Sequence, residues 1–298
     1  MHVADVRADL LAEHEALDTI VSELTDDQWA IPTASPRWSV ADQIAHLAFF
    51  DRSAALAITD PEGFATHLGE LLGAMSPRPA SGDDHAGADD GDAGEPADAD
   101  ADDDQADTAA GVETEDRGDR ATLGEFRAMT PSELLAAWRT HRATLADAAA
   151  TLADDDRVAW YGPSMGAKSF LTARLMETWA HGQDIVDAVG AHRPATERLR
   201  HIAQLGFITR GWSYLNRGLA VPAGTVRLEL TGPGGDTWVF GPDDADETVS
   251  GDALDFCLVV TQRRHLDDTA LSVGELGRDW LAIAQAFAGA ATDGPAPR

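Results

Sequence analysis

Apolar residues recur at the spacing of an amphipathic helix in four long segments, and this periodicity restricts the fold of the chain more than any other sequence feature. The segments run from 3 to about 24, from Ser39 to about 58, from Thr130 to about 152 and from about 169 to 189. Ser39 and Thr130 are each followed three residues later by an acidic residue, a pattern typical of a helix capping box. Four such helices joined by one long crossover predict a four-helix bundle.

An acidic segment rich in alanine and glycine, at 79–120, interrupts the crossover between the second and third helices. Residues 83–119 contain sixteen aspartates and glutamates and a single basic residue, Arg117. A segment with so few large apolar side chains cannot bury enough surface to offset the entropy that is lost on ordering. We therefore predict that 79–120 is a disordered insert within the bundle.

The chain after Gly190 contains both strand and helix patterns. Residues 225–230 alternate with period two, 231–235 are rich in glycine, and 237–240 form a second strand pattern, which together predict a β-hairpin. Helical patterns lie at 199–214, around 254–259 and at 276–287. A chain of 298 residues has room for about two domains. The prediction is an α+β protein, with a bundle domain at 1–190 and a small α+β domain at 191–298.

The balance of charge excludes several classes of partner. The chain has 52 acidic and 22 basic residues, a formal net charge of −30, and Lys168 is its only lysine. Nucleic-acid binding requires clustered basic residues, so neither nucleic acid nor an anionic membrane surface is expected as a partner. An acidic surface poor in lysine is typical of halophilic proteins from salt-loving archaea, with a GC-rich bacterium as the alternative source.

The cysteine content and the absence of long apolar runs indicate the cellular compartment in which the protein is expected. Cys257 is the only cysteine, which excludes an internal disulfide and a cysteine-based zinc cluster, and its apolar neighbours predict an inert core residue. The sequence contains no run of ~18 apolar residues and does not start with a basic and apolar leader. We expect a cytoplasmic protein that is a monomer or a homodimer.

Three residues in apolar helical surroundings are candidate metal ligands. Glu177 and His181 are four residues apart, so they lie on one face of the fourth helix, and His46 lies in an apolar stretch of the second helix. Two imidazoles and one carboxylate suit Zn²⁺ or another divalent transition metal. Spacing alone leaves two alternatives open, a hydrogen-bonded pair at 177 and 181 and a buried core histidine at 46.

Two stretches around these residues resemble a known family. Residues 38–47, WSVADQIAHL, are similar to the second-helix signature of the DinB-like metal-binding bundles, and 177–184, ETWAHGQD, to their last-helix signature. A bundle followed by a small α+β domain resembles the mycothiol-dependent maleylpyruvate isomerase family, and more closely an uncharacterised metal-binding branch of it. The resemblance implies that His46, Glu177 and His181 bind a divalent metal, usually zinc, and that Arg263 helps to bind anionic ligands.

The same resemblance implies a metal- and thiol-dependent enzyme. A low-molecular-weight thiol beside the metal would lose its proton and add to a small electrophilic substrate, which gives isomerisation of a cis double bond or transfer of the thiol. The alternatives are a metal- or thiol-binding module without catalysis, and a metal-dependent hydrolase that needs no thiol.

Four further features are candidates near the site. Asp42 either caps its helix, which is the favoured interpretation, or orients a ligand histidine, and Asp184 either holds the ring of His181 or is simply polar. His14 is expected at the surface, with a position facing the site as the alternative. The aromatic and glycine-rich loop 160–166 either binds substrate or is an ordinary connection.

Overall fold

A computed structural model of the chain describes residues 1–76 and 116–298. The helices of the amino-terminal half are α1 (Val3–Val21), α2 (Asp26–Trp29), α3 (Val40–Thr59), α4 (Pro61–Met75), α5 (116–123), α6 (Pro131–Ala149) and α7 (Ala167–Val189). A short 3-10 helix (Phe126–Ala128) precedes α6, and two short antiparallel strands, β1 (Arg157–Val158) and β2 (Met165–Gly166), precede α7.

The four predicted bundle helices are α1, α3, α6 and α7. Helix α3 packs mainly against α6 and α7, and α1 packs mainly against α7. The predicted capping boxes at Ser39 and Thr130 both form, and Gly190 ends α7 with a φ of 66°. A residue without a Cβ adopts this left-handed conformation without strain. The predicted four-helix bundle is confirmed.

Helix α5 overlaps the carboxyl-terminal end of the predicted disordered insert. Residues 79–115 of that prediction lie outside the described residues, whereas 116–120 are helical. The helix is held by the fully buried side chain of Leu123 and by an ion pair between Asp116 and Arg120, at 2.8 Å. Asp119 adds a hydrogen bond from Trp38, whose Nε1 lies 3.2 Å from the carboxylate.

The elements after Gly190 are α8 (Leu199–Ile208), α9 (Arg210–Leu215), β3 (Val226–Thr231), β4 (Thr237–Phe240), β5 (Glu247–Asp252), α10 (Ala253–Val260), a 3-10 helix (Leu266–Asp268) and α11 (Glu275–Leu281). Strands β3 and β4 form the predicted antiparallel hairpin, and β5, which was not predicted, pairs with β3 in parallel. The overall α+β class is confirmed.

Two predicted helices are shorter than expected. The helix predicted at 199–214 is divided into α8 and α9 at Thr209. The last helix was predicted to reach 287 but ends at Leu281. Beyond Leu281 the chain makes a tertiary contact in place of helical bonds, since the backbone nitrogen of Ala286 donates to the carbonyl oxygen of Val260 at 2.9 Å. This bond draws the chain after α11 onto the end of α10.

One hydrophobic core cluster extends over both halves of the chain. It includes Leu10 and Leu175 from the bundle together with Ile202, Val226 and Trp280 from the carboxyl-terminal half. A domain division at residue 190 stays a prediction. Within residues 1–76 and 116–298, no helix is both long and apolar enough to cross a membrane.

Candidate metal centre

Three side chains meet where α3 packs against α7. They are His46 of α3 and Glu177 and His181 of α7, and one donor atom of each lies within 4.8 Å of the other two. The Nε2 atom of His181 is 3.0 Å from Oε2 of Glu177, and Nε2 of His46 is 3.7 Å from the same oxygen. The structure therefore brings together the three residues that the sequence predicts as metal ligands, and we refer to them as the triad.

The triad is covered by protein on most sides, and each of its side chains keeps a small exposed fraction. Side-chain exposure is 17% for His46, 23% for Glu177 and 10% for His181. The residues around it on α7 are largely buried, including Met176, Thr178 and Ala180. A carboxylate in such surroundings is stable only when it is paired or bound to a cation.

Gln43 fixes the ring of His181. Its Oε1 atom lies 2.6 Å from Nδ1 of His181, and its amide nitrogen donates to Thr33 Oγ1 (2.8 Å) and Ser35 Oγ (3.0 Å). Because the amide nitrogen is committed to two hydroxyl oxygens, the amide oxygen accepts the proton of the imidazole Nδ1. With the proton on Nδ1, the Nε2 atom of His181 presents a lone pair toward the carboxylate of Glu177.

This arrangement fits a bound cation. A lone pair and a carboxylate oxygen at 3.0 Å repel one another unless a proton or a metal ion lies between them. Burial, together with the neighbouring charge of His181, lowers the pKa of His46 to about 4, so His46 is neutral at pH 7. Burial raises the pKa of Glu177, but contacts with both histidines outweigh this effect and hold it well below its ordinary value. Two imidazole nitrogens and a carboxylate are a donor set that Zn²⁺ accepts.

Aromatic rings surround His46. The ring centroid of Phe50 lies 4.5 Å from that of His46, and Trp38 lies 5.1 Å from His46 and 5.9 Å from His181. The loop between β1 and β2 adds Trp160 and Tyr161, whose rings lie 6.2 Å and 5.3 Å from Phe50. Part of the predicted aromatic loop 160–166 therefore packs against Phe50, which in turn contacts His46. We call Trp38, Phe50, Trp160 and Tyr161 the aromatic collar.

Neither Asp42 nor Asp184 is a direct hydrogen-bond partner of a ligand histidine. Asp42 accepts a hydrogen bond from the backbone nitrogen of Ser39 at 2.9 Å and pairs with Arg127 at 2.7 Å, so the favoured capping interpretation is confirmed. Asp184 Oδ2 lies 3.9 Å from Nδ1 of His181, which is beyond hydrogen-bond distance. Gln43, which the sequence interpretation missed, makes the bond that was considered for Asp184.

Arg263 reaches α7 from the carboxyl-terminal half. Its Nη2 atom donates to Oδ2 of Asp184 at 2.7 Å, and its Nη1 donates to the carbonyl oxygen of Thr261 at 2.6 Å. Arg263 is therefore next to the helix that carries two triad residues, and its guanidinium is paired with a carboxylate.

A second polar cluster is buried between α1, α3, α6 and α7. Asp51 is fully buried and lies 3.3 Å from Nε2 of His14, 3.1 Å from Nη2 of Arg174 and 3.2 Å from Nε1 of Trp138. The expected surface position of His14 is wrong, because its side chain is 3% exposed and faces this carboxylate. Burial raises the pKa of Asp51, but the charges of His14 and Arg174 outweigh it and keep the carboxyl ionised.

Cys257 has no part in the site. It is fully buried on α10, and burial raises the pKa of its thiol well above the ordinary value. The predicted inert core role agrees with this environment, since the thiolate is the reactive form of cysteine.

Comparison with known proteins identifies relatives over nearly the whole chain. The family described as "Mycothiol maleylpyruvate isomerase N-terminal domain" matches residues 10–121 and 84–186. Two proteins of Mycobacterium tuberculosis, Uncharacterized protein Rv0036c of strain H37Rv and Uncharacterized protein MT0041 of strain CDC 1551, are each 44% identical over 283 residues, 95% of this chain and 95% of their own length.

Solved structures share the fold. The crystal structure of the mycothiol-dependent maleylpyruvate isomerase matches 91% of this chain and 93% of its own, with a TM-score of 0.50 and 15% sequence identity. A histidine-to-alanine mutant of the mycothiol-dependent maleylpyruvate isomerase matches equally well, at 14% identity. These comparisons confirm the resemblance that the two helix signatures indicate. The chain belongs to the mycothiol maleylpyruvate isomerase family.

Proposed function

We propose that this protein binds a divalent metal ion, with Zn²⁺ as the first choice, and uses a low-molecular-weight thiol to isomerise or thiolate a small electrophilic substrate. The single observation that carries the proposal is the convergence of two imidazole nitrogens and one carboxylate oxygen within 4.8 Å at a partly exposed site. Membership of the family supports the thiol, because the related enzyme of known structure is named as mycothiol-dependent.

The proposed ligands are His46, Glu177 and His181. A divalent metal, when bound there, acts as a Lewis acid that lowers the pKa of an adjacent thiol and favours its thiolate at neutral pH. Gln43 holds the Nδ1 proton of His181 and so keeps Nε2 available as a ligand atom. Trp38 and Phe50 pack against the ring of His46 and give that part of the site an aromatic lining.

The role of Arg263 in binding a substrate carboxylate stays a prediction. Its Nη2 already donates to Asp184 at 2.7 Å, so a carboxylate at that position would compete with Asp184. The geometry supports a role for Arg263 in joining the carboxyl-terminal half to α7.

Metal analysis of purified protein tests the proposed ligands. We expect about one equivalent of zinc in the wild type, and a loss of most of it in His46→Ala and in His181→Ala. His192→Ala is the matched control, because His192 is exposed and outside the triad. Equal metal content in all four proteins would show that His46 and His181 are not metal ligands.

Activity with and without a thiol tests the chemistry. Metal-loaded protein is assayed against a small cis-alkene and against an electrophile with a leaving group, each with mycothiol, with another small thiol and without thiol. Turnover that requires both metal and thiol supports the proposal. Turnover without any thiol would favour metal-assisted hydrolysis, and stoichiometric metal with no turnover would favour a binding module.

A further inference from the structure

Most of the exposed large apolar side chains lie together on one part of the surface. Within residues 1–76 and 116–298, eight large apolar side chains are exposed, and five of them fall in one short stretch: Ile208, Trp212, Leu215, Leu219 and Val221. The first four follow one another at intervals of four, three and four residues, the spacing of side chains that share one side of a helix. We call these five residues the apolar face, which covers α9 and the chain on either side of it.

The segment that carries the apolar face has no acidic residue, although the chain as a whole is strongly acidic. Residues 198–228 contain no aspartate or glutamate, and the sequence has no longer acid-free stretch. From 204 to 222 the charged residues are Arg210 and Arg217. Arg210 precedes Trp212 by two residues and so lies on the opposite side of α9, and Arg217 donates to two backbone carbonyl oxygens. The apolar face itself is therefore uncharged.

The area of the apolar face is large for a surface that stays in contact with water. Its five residues are 40–65% exposed, which corresponds to roughly 500 Å² and is near the upper end for the largest apolar patch of a monomer. Two copies joined through this face would bury roughly 1,000 Å² from these residues alone. A narrow polar rim then brings the buried area to the ~1,200–2,000 Å² of specific, stable interfaces.

Charge decides between the candidate occupants of the apolar face. An anionic membrane or an acidic protein partner is held by basic groups, which this face does not present. The chain's own segment 77–115 does not match it, because Val112 is the only large apolar residue in that segment. Two copies of a chain with a net charge of −30 repel one another wherever their acidic surfaces meet. The uncharged face is thus the surface on which a second copy approaches with the least repulsion.

We infer that two copies of this protein associate through the apolar face as a symmetric homodimer. An uncharged apolar surface is complementary to itself, as contact across a two-fold axis requires. Trp212 and Leu215 lie in the middle of the row, where the best-buried residues of an interface are expected. The acidic residues remain on the outer surfaces of the dimer, so salt that screens their repulsion strengthens the association.

The mass of the protein in solution tests the inference. Light scattering and sedimentation velocity of the full-length wild type at about 100 µM are expected to give twice the monomer mass, since interfaces of standard size have dissociation constants of micromolar or below. Raising the NaCl concentration from about 0.1 M to about 1 M should increase the dimer fraction in more dilute samples, because the net negative charge is screened. A monomeric mass at both salt concentrations would overturn the inference.

Substitutions on the apolar face locate the contact. Leu215→Glu and Trp212→Glu each bring two carboxylates together in the dimer and are expected to raise its dissociation constant about tenfold or more. Leu72→Glu is the matched control, because Leu72 of α4 is 55% exposed, against 65% for Leu215, and lies outside the apolar face. Circular dichroism verifies that each variant is folded. A dimer that is equally stable in all three variants would place the interface elsewhere and overturn the inference.

Sedimentation with lipid vesicles tests the other occupant of an apolar surface. The wild type is expected to stay in solution with vesicles of phosphatidylcholine, with or without phosphatidylglycerol. Vesicle binding that Leu215→Glu abolishes, by a wild type that is monomeric in solution, would assign the apolar face to a membrane and overturn the inference.

Discussion

Gly182 and Arg193 are in such close contact that no side chain fits between them. A Cβ atom on Gly182 would lie 2.7 Å from Nη1 of Arg193, which is well inside van der Waals contact. Arg193 is not free to withdraw, because it donates to the carbonyl oxygen of Trp179 at 2.9 Å and to Gln183 Oε1 at 3.0 Å. The glycine after the ligand histidine is therefore required by packing between the bundle and the chain that follows it.

Gly182→Ala is expected to lower the free energy of unfolding by about 1–3 kcal/mol, the usual range for overpacking a buried contact. Urea denaturation measures the change. Gly211→Ala is the control, since nothing lies within 4 Å of a Cβ at that position and alanine is the better helix former. A Gly182→Ala protein as stable as the wild type would show that Arg193 can move aside.

Gln43→Met is expected to weaken metal binding by about 10- to 100-fold, as the loss of a partner to a ligand histidine usually does. Methionine has a similar size but offers no amide oxygen to Nδ1 of His181. The dissociation constant is measured by competition with a chelating dye. Gln43→Glu restores an acceptor and should recover much of the affinity, whereas Gln204→Met, at an exposed position of α8, should have no effect.

Asp51→Asn is expected to destabilise the fold by about 3 kcal/mol or more, because it leaves Arg174 as a buried charge without a countercharge. Asp147→Asn, at an exposed position of α6, is the matched control. Thermal and urea unfolding measure both variants. If Asp51→Asn and Asp147→Asn unfold alike, the buried cluster does not contribute to stability.

The stability contributed by Asp18 should depend on pH. A hydrogen bond from Arg139 at 2.8 Å, with the charge of Arg142, holds the pKa of Asp18 below its ordinary value. A carboxyl with a lowered pKa in the folded state stabilises the protein above its unfolded pKa, about 3.9, and loses that effect as the pH falls through the folded value.

Unfolding of the wild type and of Asp18→Asn is therefore compared between pH 7 and pH 3.5. The difference in free energy should be constant from pH 7 to about pH 5 and should shrink below about pH 4. A difference that is the same at pH 3.5 as at pH 7 would contradict the role of Asp18 as an ionised partner.

The bundle could be predicted because its signals are local. Ser39, Thr130 and Gly190 mark helix ends through contacts within three or four residues, and apolar periodicity fixes the buried face of each helix. The ligand residues followed from the same periodicity together with the family signatures, since positions 177 and 181 share one helix face.

The remaining features depend on contacts between distant parts of the chain. Strand β5 has one buried apolar side chain, Val249, and is held by its pairing with β3, so its own sequence carries little strand pattern. The hydrogen bond from His181 to Gln43 spans 138 residues, and the hydrogen bond from Trp38 to Asp119 spans 81. The spacing of residues along the sequence cannot show which polar groups meet across such separations.

The carboxyl-terminal end of α4 lies next to the amino-terminal end of α5. The Nε atom of Arg117 donates to the carbonyl oxygen of Met75 at 3.2 Å, so the chain leaves the bundle and re-enters it at nearly the same point. The entropic cost of closing a loop rises only slowly with the number of residues in it. Residues can therefore be inserted or deleted between these two helices with little effect on the stability of the folded bundle. The junction is thus a natural place to graft an affinity tag or a fluorescent reporter without disturbing the triad.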